Sequence, residues 1–177
     1  MAVSVNIKGF KELEKSLKEF GKEGQAVALD VTFTTATEIE GYAKKEAPKD
    51  IGKLAQSIRS IKVENEVKYK VQANEPYAAF VEFGTGAKVS IPSGWEDIAA
   101  DFRNKPGGTY EEGLANITRW CQKKGIDVKK AKFIFFLILK NGMAAQPFMY
   151  PAFIKGKKTF YKDLKHRIKQ LTKDFNG

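Results

Sequence analysis

Tyr77-Ala78-Ala79-Phe80-Val81-Glu82-Phe83-Gly84-Thr85-Gly86 and Gln146-Pro147-Phe148-Met149-Tyr150-Pro151-Ala152-Phe153 set large aromatics beside residues that stop helices. Proline locks φ, glycine admits positive φ, and the aromatic rings demand burial. Neither segment holds a nucleophile beside a base or a metal-ligand cluster at usable spacing. Both suit a role in locking chain geometry and presenting a surface, which points away from catalysis.

A chain of 177 residues fits one domain spanning 1–177, with an inserted loop–helical segment at about 86–145. A chain this long buries roughly 70% of its unfolded surface, and a hydrophobic content of 42% can supply the core. No apolar run reaches the roughly 18 residues of a membrane span, so no membrane partner is expected. Met1–Asn6 lacks the charged and apolar regions of a signal peptide. A lone Cys121 excludes an internal disulfide framework, and folding in a reducing cytosol is expected.

The net charge is +10, and it is unevenly placed. Residues 1–54 balance to zero, whereas residues 151–177 hold eight basic and two acidic side chains. There, Lys155, Lys158, Lys162, Lys165 and Lys169 run beside an apolar stripe of Ile154, Tyr161, Leu164, Ile168, Leu171 and Phe175. The spacing predicts a helix from about Pro151 to Asp174. Its lysines suit a polyanionic neighbour, nucleic acid or an acidic protein face, and equally a solvated surface.

The remaining pattern mixes both periodicities. Val3, Val5 and Ile7 alternate with polar residues, as a short strand does. Phe10, Leu13, Leu17 and Phe20 mark one face of a helix that Gly21 and Gly24 are expected to end. A longer helix is expected over Gln25–Glu46, with Leu29, Phe33, Ala36, Ile39 and Ala43 inward and Pro48 stopping it. Alternation at Ile61 and Val63, and again at Val67, Tyr69, Val71 and Ala73, predicts an antiparallel hairpin around Glu64-Asn65-Glu66. Pro76 can open a short helix through Tyr77–Phe83 that Gly84 closes.

In the insertion, Ile91–Gly94 and Asn104–Gly108 read as loops. Thr109 and Glu112 have capping-box spacing, ahead of a helix carrying Leu114, Ile117 and Cys121 and ending at Gly125. Asp127 and Asn141-Gly142 bracket the apolar run Phe133–Leu139 with cap chemistry, which favours a helix over a buried strand. The fold class expected is α+β: a small antiparallel sheet packed by a long helix of the N-terminal half and a C-terminal helix, with a helical insertion.

Gly84-Thr85-Gly86-Ala87-Lys88 lacks the spacing of a phosphate loop, so its glycines are expected to make a turn. His166 stands alone among lysines, and Cys121 falls on an apolar helix face, so neither a metal nor a cofactor is expected. Glu82, between Val81 and Phe83, either pairs with a cation, accepts backbone amides or faces solvent. Phe133–Leu139 needs cover on all sides, from its own chain or from a neighbouring subunit, and Phe135 and Phe136 are candidate subunit contacts.

Tyr77-Ala78-x-Phe80-Val81-Glu82-Phe83-Gly84-Thr85, followed by Gln146-Pro147-Phe148-x-x-Pro151-Ala152, resembles the neck or tail-completion (head–tail joining) family of long-tailed bacteriophages. Gly52-x-Leu54-x-x-Ser57-Ile58 fits the same layout, and Trp120-x-x-Lys123-Lys124-Gly125 and Ile138–Gly142 are similar to inserted segments of related phage proteins. The insertion of roughly 60 residues is longer than in compact members. The resemblance implies a non-enzymatic virion protein, assembled in the host bacterial cytoplasm and placed at the head–tail junction. It further implies that a homo-oligomeric ring, a hexamer, completes or joins the tail there and lets DNA pass. Head-closure (stopper) and tail-terminator or tail-tube proteins are the implied neighbours, with genomic DNA in the lumen, bound without sequence preference.

Tyr77, Phe80, Glu82, Phe83, Gly84, Thr85, Gln146, Pro147, Phe148 and Pro151 are the implied interface or structural positions. Size is compatible with a ring. A radius of gyration of about 16 Å gives six subunits a hole of about 40 Å, against about 20 Å for a duplex. The lysine row would face that lumen or lie outside. The alternative reading is a basic nucleic-acid-binding module that uses the C-terminal lysine helix.

Overall fold

In the computed structural model, which describes residues 10–49, 52–103 and 109–176, the chain opens with a 37-residue helix, α1 (Phe10–Glu46). The expected break at Gly21 and Gly24 does not occur. An interior glycine costs about 1 kcal/mol relative to alanine, and the C-terminal helix offsets this by packing along the same stretch. Phe20 meets Phe175 edge-on at 5.0 Å, and Leu171 is buried against Gly24. The β-branched segment stays helical because burial of Val31 and Thr35 against the rest of the fold outweighs its low helix propensity, while Thr32 turns its hydroxyl back to the Ala28 carbonyl at 2.6 Å. Phe33, expected inward, is half exposed and rests its ring on Tyr69 at 5.5 Å.

Gly52, at φ 73°, turns the chain into the short helix α2 (Lys53–Ser57), which buries Leu54. Strands β1 (Ile58–Lys62) and β2 (Tyr69–Ala73) pair antiparallel, with Ile58 opposite Ala73 and Lys62 opposite Tyr69. The turn runs through Asn65 at φ 60°. The buried face of β1 carries Ile58 and Ser60, so Ile61 falls on the open side of a two-stranded sheet. The Ser60 amide donates to Glu40 Oε2 at 2.6 Å, which ties the sheet to α1.

Helix α3 (Ala78–Phe83) ends at Gly84 and leads through a 3-10 turn at Gly86–Lys88 into the insertion. The insertion holds α4 (Glu96–Arg103), α5 (Tyr110–Lys123), a 3-10 turn at Val128–Lys130 and α6 (Ala131–Asn141). The sequence pattern did not predict α4. The capping box at Thr109 and Glu112 is present in both directions, at 3.2 and 2.9 Å. Phe133–Leu139 is helical, and Asp127 caps the 3-10 turn before it through the Lys129 amide at 3.0 Å. Helices α5 and α6 form a hairpin in which the Phe135 ring lies on Gly113 and beside Tyr110.

Helix α7 (Met149–Asn176) returns along α1. Its buried stripe is Ala152 and Gly156, preceded by Phe148 just ahead of the helix and continued by Leu171. A Cβ on Gly156 would sit 2.2 Å from Ile39 Cγ1, so the two helices approach as closely as glycine allows. Of the expected stripe, Leu171 is buried and Ile154 and Leu164 are half-buried, whereas Tyr161, Ile168 and Phe175 are exposed. The core gathers Ala43, Ala47, Leu54, Ile58, Ala78, Phe148 and Ala152, where α1, the hairpin, α3 and α7 converge. The strand expected at Val3–Ile7, the Asn104–Gly108 loop, and the side chains of Phe10, Leu13 and Leu17 lie outside the described residues.

Candidate functional site

The two aromatic segments, over sixty residues apart in sequence, are joined to each other. Glu82 is only 4% exposed and projects from α3 at the start of α7. Its Oε2 accepts the amides of Phe148 at 2.7 Å and Met149 at 2.9 Å, and its Oε1 accepts that of Tyr150 at 2.9 Å. A helix leaves its first four amides without partners inside the helix. Here the fourth position is Pro151, which has no N–H to satisfy. One carboxylate and one proline therefore close the whole N-terminus of α7. The helix dipole adds to the fit, because negative charge is favoured at that end.

Three more hydrogen bonds lengthen the seam. The Gln146 amide donates to the Val81 carbonyl at 2.8 Å, which occupies an acceptor that the end of α3 leaves open. Thr85 and Met143 exchange two bonds: Thr85 N–H to Met143 O at 2.9 Å, and Met143 N–H to Thr85 Oγ1 at 2.8 Å. Gly84 lies at φ 75°, and a Cβ there would come within 2.7 Å of the Lys88 and Met143 carbonyl oxygens. Gly84 and Gly86, at φ 60°, make a positive-φ turn.

The aromatics complete a rigid clasp. Phe148 is fully buried, and Phe83 is buried beside Ala79 and Ala99. Trp95 meets Phe83 at 6.4 Å, Tyr150 at 5.3 Å and Phe153 at 5.9 Å, so it binds both segments to the insertion. Sequence reasoning missed Trp95. The available signal was the Pro92-Ser93-Gly94-Trp95 turn, in which the Trp95 amide returns to the Pro92 carbonyl at 3.1 Å. Tyr77 precedes α3 and packs on the main core, whereas Phe80, Gln146 and Pro147 turn their side chains to the surface.

The other sequence candidates lie elsewhere. Phe135 faces inward within the α5–α6 hairpin, so of the two suggested contacts only Phe136 presents its ring. Phe133, Leu137 and Leu139, not singled out in the sequence, are the other large exposed apolar side chains of α6. Lys158, Lys162, Lys165 and Lys169 are exposed along α7. Lys155 is drawn aside: its ammonium pairs with Glu46 at 3.1 Å and lies 5.4 Å from the Tyr42 ring centre. His166 is exposed and Cys121 fully buried. Among the described residues no group of His, Cys, Asp and Glu is placed to hold a metal ion, and no helix is long and apolar enough to cross a membrane.

Residues 11–84 match the family described as "Bacteriophage HK97-gp10, putative tail-component". The matched span runs from α1 through the hairpin to α3 and takes in Glu82, Phe83 and Gly84. It stops before the insertion, so the second aromatic segment lies outside it and joins it through Glu82. No curated protein and no solved structure matches the chain.

Proposed function

We propose that the protein is a non-enzymatic structural component of the phage neck, a ring of six copies that completes or joins the tail and lets DNA pass. The match of residues 11–84 to a phage tail-component family carries this reading. Two features of the chain support it. The clasp fixes α7 and the insertion on the family-matched unit, as a repeated building block requires. The exposed lysines of α7 offer a phosphate-binding row without a base-reading element. In this reading the ring sits at the head–tail junction between head-closure and tail-terminator or tail-tube proteins.

Native mass measurement tests it. Six chains of 19.8 kDa give a particle of about 120 kDa, formed alone or with its neck neighbours. A chain that stays monomeric under every assembly condition overturns the ring. If that monomer binds free duplex with a steep salt dependence, the lysine row of α7 belongs instead to a nucleic-acid-binding module.

A further inference from the structure

Strand β2 has an open edge. The Val63 amide donates to the Lys68 carbonyl and the Asn74 amide to the Ser57 carbonyl, so alternate residues of β2 bond inward to β1. The amides and carbonyls of Tyr69, Val71 and Ala73 therefore point away from β1, and no hydrogen bond to them is made among the described residues. The other edge of the hairpin is engaged. There the Ser60 amide donates to Glu40, and the Ile58 carbonyl accepts from the Arg59 guanidinium. The two faces of β2 also differ. Tyr69 lies on Phe33, and Val71 and Ala73 pack on the core, whereas Lys70 is exposed. A strand added at this edge has to be apolar on one face and polar on the other.

Residues 3–7 carry that pattern, with Val3, Val5 and Ile7 alternating with Ser4 and Asn6. Paired with β2, they would set three apolar side chains beside Tyr69, Val71 and Ala73, and the polar ones beside Lys70 and Gln72. Their own hairpin is out of reach. Helix α1 runs unbroken from Phe10, which places Phe10 about 45 Å from Glu40. Glu40 holds Ser60, and Ser60 is paired with Val71, so the middle of the open edge lies about 30 Å or more from Phe10. Fully extended, the chain carries Val5 only about 17 Å and Val3 only about 23 Å from Phe10. We propose that residues 3–7 of one copy add a third strand to the β2 edge of the next. The contact joins different surfaces of identical chains, so it repeats around an axis and closes if the rotation allows. It rests on the homo-oligomer reading above and assigns that oligomer a subunit contact.

Two arms test it. In the first, an Asn6→Cys chain is mixed with a Lys70→Cys chain or a Gln72→Cys chain and oxidised; the two mixtures cover both strand directions. Native Cys121 is fully buried and does not compete. The contact predicts that one mixture yields a disulfide-linked pair at least about tenfold more abundant than in any single preparation. Asn6→Cys/Lys70→Cys and Asn6→Cys/Gln72→Cys, each within one chain, check the reach: a link inside a monomer overturns the exchange between copies. In the second arm, Val5→Pro/Asn6→Pro removes two consecutive strand amides, one of which faces β2 in either direction. Its helical circular dichroism should match that of the wild type, while the assembled fraction falls at least about tenfold. If the wild type assembles, a lack of enrichment in both mixtures or an unchanged assembled fraction for the proline variant overturns the contact while the ring stands. A linked pair whose native mass stops at two chains supports the contact and removes the closed ring. A wild type that remains monomeric under every assembly condition overturns both.

Discussion

Glu82 satisfies three backbone amides with two oxygens, in a place where water has little access. Glu82→Ala strands those donors, and each buried unmet donor costs about 1–3 kcal/mol. A loss of about 3 kcal/mol or more is expected in urea unfolding, and Glu82→Gln should lose less because it keeps one acceptor oxygen. Glu40 bears on acid behaviour. The Lys44 ammonium, 2.5 Å from Oε1, is the largest influence on its carboxyl. Partial burial pushes the other way, the Ser60 amide adds to the lowering, and the pKa falls from 4.5 to about 2. A carboxyl with a depressed folded-state pKa stabilises the fold above its unfolded value and loses that contribution as pH falls. Wild type should therefore exceed Glu40→Gln by about 1–2 kcal/mol at pH 7, after allowance for solvent screening. The gap should shrink from about pH 4.5 toward pH 2 in paired denaturant titrations. A gap unchanged at pH 3 would remove Glu40 as the cause.

At the scale of elements, the insertion is anchored at a few points. Trp95 and the Thr85–Met143 bonds hold it to the core, and the α5–α6 hairpin otherwise packs mainly on itself. Thr109→Ala removes the capping box of α5 and should weaken that helix by about 1 kcal/mol. Hydrogen exchange should quicken through α5 and leave the amides of α1 near Ala43 unchanged, because local opening need not unfold the core. Several of these elements were legible beforehand. The cap at Thr109 and Glu112, the stop at Gly142 and the hairpin follow from chemistry within a few residues. The continuity of α1 was not legible, since Gly21 and Gly24 give the local signal of an end and only α7 packing alongside overrides it. On α7 the apolar heptad pattern marked Tyr161 and Ile168, whereas burial falls on Ala152 and Gly156. Hydrophobic spacing registers large side chains and passes over the small ones that let helices touch.

For the whole molecule, charge is the property that a ring around DNA would use. Lys158, Lys162 and Lys165 stand exposed on one helix, and neutralising phosphates with them would release counterions. Replacing all three with Gln should flatten the logarithmic salt dependence of duplex retention by about 2–3. Lys155→Gln should change it little, because its ammonium is already engaged by Glu46 and Tyr42. Equal slopes for the triple variant and the wild type would take the lysine row out of any DNA contact.

The amino-acid order by itself determined the α+β class, the hairpin, the caps of the insertion and the two segments that matter most. Each is set by backbone geometry or by periodicity over a short stretch. Only the tertiary structure decided what Glu82 does. Of the three environments open to it, the fold chose the amides of Phe148, Met149 and Tyr150, a pairing across more than sixty residues that local spacing does not encode. It likewise turned Phe135 inward and Phe136 outward. An unbroken apolar run has no polar face to orient it, and the neighbour that packs first fixes the inner side.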